Sequence, residues 1–109
     1  MRTPVRGEVW LVDLGMAAKV RPALVLSIPT EDDDRSLATL VPHTTAVRGT
    51  RFEAVVPVPF LKPGAFDAQG LVTVPLVRLV RLRGALPATQ LAGVERVVLL
   101  WLGFSDRGT

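Results

Sequence analysis

The chain has no cysteine, no tyrosine and a single histidine. Without thiols, disulfides and thiolate metal sites are excluded. The lone His43 has no carboxylate cluster near it in the sequence, which argues against a catalytic metal. Charge is sparse too: 21% of residues are charged against 49% hydrophobic. That balance is incompatible with disorder. No apolar run reaches the ~20 residues of a membrane span, and the N-terminus lacks the layout of a signal peptide. The expectation is a soluble, cytoplasmic protein without a membrane partner. No repeat or linker interrupts the 109 residues, so one domain, 1–109, is expected.

The apolar fraction is more than a small monomer can bury by itself, so part of it is expected in an interface. The formal net charge is only +3, but its distribution is uneven. Acids bunch at Glu31, Asp32, Asp33 and Asp34, while arginines gather at Arg48 and Arg51 and again at Arg78, Arg81 and Arg83. Clustered arginines are the footprint of an anionic partner. They also suit a solvated basic surface, and composition alone leaves both readings open.

Alternation predicts a strand over Glu8–Leu14, ended by Gly15. Val20–Ile28 is a nearly continuous apolar run, the pattern of a strand buried on both faces. Further strands are expected over Ser36–Val41 and Arg51–Val58. Pro57, Pro59 and Pro63-Gly64 argue against regular structure up to about Gly70. Leu71–Val74 and Val77–Leu82 read as the last strands. Leu91, Val94, Val98 and Trp101 then recur at helical spacing, with Pro87 suited to the first turn and Gly103 to the stop. The outline is five or six mostly antiparallel strands and one C-terminal helix, satisfied by a small curved sheet or half-open barrel.

Two strand ends carry the chemistry. Arg21 opens one apolar strand, and Thr44-Thr45 follow another. An arginine is a permanent cation whose fork matches phosphate oxygens, and a hydroxyl beside it can donate to the same group. The pairing points to phosphodiester chemistry and hence to nucleic acid. Lys19, Thr45, Arg48, Arg51, Arg78, Arg81 and Arg83 are candidate backbone contacts. On a strand Arg81 and Arg83 share a face, whereas Arg78 and Arg81 do not. Each residue also has a structural reading. Arg21 can pair with Asp13 or Glu53, and the threonines can bond the backbone. His43 can be packed, Trp10 can be core rather than a stacking platform, and the arginines can be solvated.

The string Arg6-Gly7-Glu8-Val9-Trp10, then Val12-Asp13-Leu14, Arg21-Pro22-Ala23-Leu24-Val25-Leu26-Ser27, Val41-Pro42-His43-Thr44-Thr45, Gly49 and Phe52-Glu53 resembles the MazF/PemK (Kid) family of toxins. The resemblance implies a mainly β fold with a C-terminal α-helix, an SH3-like small barrel or curved antiparallel sheet. It implies a homodimer that cuts single-stranded RNA sequence-selectively, without metal or other cofactor, through a 2′,3′-cyclic phosphate. Arg21 and Thr44 match the family's functional positions. A MazE-like antitoxin with an acidic, disordered tail is the implied partner. Leu99, Trp101, Leu102 and Phe104, with Val77–Leu82, are expected at the dimer contact. The last third departs from the pattern. Leu71–Arg81 is apolar where the family has an Asp-Gln pair, and the Gly15–Lys19 loop is short. A binding module of weakened activity, or an inhibitor acting by protein binding like CcdB, is the alternative.

Overall fold

The computed structural model describes residues 3–15 and 20–104. Among these described residues seven strands precede one α-helix: β1 Glu8–Asp13, β2 Val20–Val25, β3 Leu37–Thr44, β4 Glu53–Ala54, β5 Ala65–Asp67, β6 Val72–Pro75, β7 Leu79–Ala85 and α1 Ala88–Leu102. All pairings are antiparallel, in the order β4-β5-β3-β2-β1-β7, with β6 also on β3. The sheet is curved but does not close. Its pivot is β3, which pairs with β6 through Leu37–Leu40 and with β5 through His43 and Thr44.

Alternation sorts the strand residues into two cores. Val9, Leu24, Val41 and Phe66 point to the face where Val94 and Val98 of α1 pack. Trp10, Val12, Ala23, Val25, Ala38 and Leu40 point to the other face, closed by Val74 and Leu79. The central strands are therefore apolar on both faces, as the run after Val20 predicts. Each fully buried side chain of this size contributes roughly 1.5–3 kcal/mol. Trp10 belongs to this packing, and its indole N–H donates to the buried Glu8 carboxylate at 3.0 Å.

Several boundaries differ from the sequence expectation, among them β2, which stops at Val25 rather than Ile28, and β7, which spans Leu79–Ala85 rather than Val77–Leu82. β3 runs past Val41 to Thr44, because β2 pairs with Pro42 and β5 pairs with His43 and Thr44. The fourth strand shrinks to Glu53–Ala54. The Glu53 carboxylate accepts the backbone N–H groups of Arg48 (3.0 Å) and Thr50 (2.7 Å), which closes a turn where strand was expected. The proline-rich stretch nonetheless contains β5, followed by a short 3-10 turn over Ala68–Gly70. A second such turn, Leu76–Arg78, separates β6 from β7 and takes Arg78 off the strand.

Helix α1 matches its predicted span. Gln90 ties it to the proline-rich loop by donating to the Pro57 carbonyl (3.2 Å), and Arg6 pairs with Glu95. At its end the N–H groups of Gly103 and Phe104 reach the carbonyls of Leu100 and Leu99, a 5→2 and 6→1 closure. Among the described residues no helix is long and apolar enough to cross a membrane.

Candidate functional site

Arg21 lies second in β2, opposite Val12 of β1. The β2–β3 register pairs Val25 with Leu40, Leu24 with Val41 and Ala23 with Pro42. Two residues further along that register stand Arg21 and Thr44. The paired residues end at Ala23 and Pro42, and beyond them Arg21 and Thr44 share the walls of the same cavities. Both residues are half-buried.

Two cavities meet at this pair, and Arg21 and Thr44 line both. The first, about 390 Å³, is also lined by His43, Thr45, Phe60, Lys62 and Arg83. The second, about 420 Å³, is lined by Arg48, Thr50, Glu53, Asp67 and Gln69. Two cations and an aromatic ring thus stand on one side of Arg21, and two carboxylates, an amide and Arg48 on the other.

Among the described residues Arg21 has no ion-pair or hydrogen-bond partner. The expected alternatives are otherwise engaged. Asp13 accepts the Gly15 N–H (2.9 Å) and lies 3.9 Å from Arg78, while Glu53 closes the turn described above. Those bonds to Arg48 and Thr50 hold the Glu53 carboxyl below the ordinary carboxylate range. The Thr44 Oγ1 accepts the Ala46 N–H at 3.0 Å. Its lone pair is used locally, and its O–H proton remains to donate.

His43 faces the helix-side core, where its ring meets Phe66 edge-on at 5.0 Å between centroids. It is 4% exposed, and burial lowers its pKa below the ordinary 6.5. The sign of the linkage follows. The unfolded chain takes up a proton near pH 6.5 while the folded imidazole resists, so this contribution is full above that pH and is lost below it. Between pH ~7.5 and ~5 the melting temperature should fall more for this protein than for its His43→Leu variant. Equal slopes would show that His43 titrates the same in both states.

The other candidate residues divide. Thr45, Arg48 and Arg83 line the cavities. Arg51 does not: its guanidinium sits over the Phe52 ring at 4.6 Å, and Phe52 in turn packs edge-on against Trp101. Arg78 is turned to the carbonyl and carboxylate of Asp13. Arg81 is exposed on β7 opposite Leu11, away from both cavities. Lys19 lies outside the described residues. Ser27 is structural, accepting the Thr39 N–H at 2.9 Å.

Sequence reasoning missed Phe60, Lys62, Asp67 and Gln69. An acid and an amide do stand at the site, as Asp67 and Gln69 with Ala68 between them, upstream of the segment where the Asp-Gln pair was sought. The signal was the Asp-Ala-Gln string itself, hidden inside a stretch read as irregular. Asp67 accepts the Gln69 N–H at 3.1 Å, which fixes the two relative to each other. Among the described residues no three His, Cys, Asp or Glu side chains gather as a metal-binding group.

No curated protein sequence matches the chain. Solved structures do. The MazE–MazF complex from Deinococcus radiodurans superposes with a TM-score of 0.80 at 25% identity, covering 94% of this chain and 98% of that one. MazF alone from the same organism gives 0.79 at 28% identity, with 94% and 99% coverage. The Mycobacterium tuberculosis toxin MazF-mt6 gives 0.73 at 28%, with 91% and 98%. Residues 5–102 match the family described as PemK-like, MazF-like toxin of type II toxin-antitoxin system. From its first strand to the end of its helix, the chain belongs to the PemK/MazF toxin family.

Proposed function

We propose that this protein is an endoribonuclease toxin that cuts single-stranded RNA at Arg21 and Thr44. The observation that carries the reading is a half-buried guanidinium, without a partner among the described residues, that shares the walls of two cavities with a donating hydroxyl. In the reaction the RNA's 2′-oxygen attacks the adjacent phosphorus and gives up its proton. The P–O5′ bond breaks and O5′ takes a proton, leaving a 2′,3′-cyclic phosphate. Arg21 stabilises the charge that builds on the non-bridging oxygens, where preorganised donors have most effect. It is unsuited to be the base, because guanidinium does not lose its proton in this range. Thr44 donates to the same phosphate.

Membership of a type II toxin family supports an antitoxin partner, as does the structural likeness to MazE–MazF complexes. An acidic tail suits the Lys62 and Arg83 side of the site. A homodimer is supported by the apolar side chains left exposed: Val77, Val80 and Leu82 near or on β7, and Leu99, Trp101, Leu102 and Phe104 at the helix end. Symmetric pairing is the commonest way to cover such surface.

Purified protein incubated with a long single-stranded RNA in EDTA should cut it, leave an all-deoxy strand intact and yield 2′,3′-cyclic phosphate ends. Cleavage abolished by the chelator, or equal cutting of DNA, would rule out a mechanism that uses the RNA's own 2′-hydroxyl with no metal.

A further inference from the structure

We propose that the cavity on the His43 side is a nucleobase subsite. It stacks the base of one nucleotide flanking the scissile phosphate on Phe60 and hydrogen-bonds the edge of that base to His43. The proposal rests on the RNA-cleaving reading above and adds to it which residues choose the cut site.

Three observations carry it. The first is His43 itself. Although 96% of its surface is covered, neither ring nitrogen has a hydrogen-bond partner among the described residues. His43 lines this cavity, and its ring nitrogens are not among the fully buried, unpartnered side-chain atoms. A neutral imidazole offers one donor and one acceptor, and every base edge presents both kinds of group or one of them.

The second is the seating of Phe60. Its ring lies on the backbone of β7 at Gly84, where an added Cβ would fall 2.7–2.8 Å from three ring atoms. Arg83 donates from Nη2 to the Phe60 carbonyl at 3.2 Å. The ring is therefore held from beneath by a missing side chain and from its own backbone by a neighbouring cation. It stays half-buried while lining the cavity. An aromatic fixed at a cavity wall is what base stacking requires, and stacking of this kind tolerates any base.

The third is the contrast between the cavities. The one beyond Arg21 has no aromatic lining, and its carboxylates, Glu53 and Asp67, stand with one further cation, Arg48. The one holding Phe60 adds Lys62 and Arg83, which suit the phosphate that accompanies a stacked nucleotide. Stacking selects the Phe60 side, and His43 supplies the discrimination that stacking lacks.

The test uses the whole protein and a single-stranded RNA with one mapped cut site. The base is removed from each nucleotide flanking the scissile phosphate in turn. One abasic position should lower kcat/KM by about 5- to 150-fold, the range of a lost base–aromatic stack. Phe60→Leu, which keeps apolar volume over Gly84, should lower cleavage of the intact RNA by the same factor and make that abasic change silent. Phe60→Tyr keeps a ring and should keep the penalty. His43→Gln should change the base preferred at that single position in a randomised RNA pool. An abasic penalty equal in wild type and Phe60→Leu, or two silent abasic positions, overturns the subsite while the endonuclease reading stands. Wild-type protein that cuts no RNA overturns both.

Discussion

Arg21→Ala should lower RNA cleavage by about 10²–10³-fold and leave the melting temperature nearly unchanged. The rate follows from what one preorganised charge-stabilising donor contributes, roughly 2.7–4 kcal/mol of barrier. The unchanged stability follows from the structure. Among the described residues the guanidinium has no protein partner, so removing it leaves no carboxylate orphaned, and the β2 backbone pairing with Val12 does not depend on the side chain. Arg21→Lys should recover only part of the rate, because an ammonium is a point charge and cannot hold two phosphate oxygens in one plane. His43→Ala should cost far less in rate, since the proposed role of His43 is to choose a base. Single-turnover rates and thermal melts on the same preparations check all three. Cleavage within a few-fold of wild type for Arg21→Ala would remove the guanidinium from the reaction.

The parts of this structure that were legible in the sequence were those set by local pattern. Alternation around Val9 and Val12 and the double-faced apolar run from Val20 to Val25 encode β1 and β2, and the 3.6-residue stripe of Leu91, Val94 and Val98 encodes α1. Arg21 and Thr44 were legible because each stands where an apolar run gives way to polar residues. What local pattern could not carry was pairing. β5 is three residues long inside a proline-rich stretch and exists because it has β3 on one side and β4 on the other. Once β5 is missed, Asp67 and Gln69 have no reason to be near Arg21, and Phe60 and Lys62 read as loop. The same limit explains Arg51, whose charge suggested nucleic acid in one dimension but whose neighbour Phe52 captures it in three. In a curved sheet the site is where strand ends converge, so its second half is contributed by chain with no periodic signature of its own.

That second half depends on one small residue, and Gly64→Ala should be the most damaging conservative change in the fold. A Cβ at this position would lie 2.2 Å from the Thr44 carbonyl oxygen and 2.7 Å from Cε1 of His43. The first contact is with backbone in the β3–β5 ladder, where Thr44 pairs with Ala65, so no side-chain rotation relieves it. Either β5 separates from the end of β3 or the Thr44 peptide tilts. Both outcomes loosen Phe66, which is fully buried two residues along β5 and packs on His43. Overpacking a dense core commonly costs 1–3 kcal/mol and more when backbone must shift, so about 3 kcal/mol is expected, a fall of roughly 10–20 °C in melting temperature for a domain of this size. Activity should fall beyond the loss of folded protein, because the displaced peptide carries the Thr44 hydroxyl. Gly93→Ala provides the contrast. It lies within α1 with nothing inside 4 Å of the added carbon, and replacing a helical glycine by alanine should stabilise by about 0.5–1 kcal/mol. Thermal melts of the two variants should therefore move in opposite directions. A Gly64→Ala protein that melts with wild type and cuts RNA at the wild-type rate would mean that β5 has room to withdraw from β3, and that the site does not depend on their close approach.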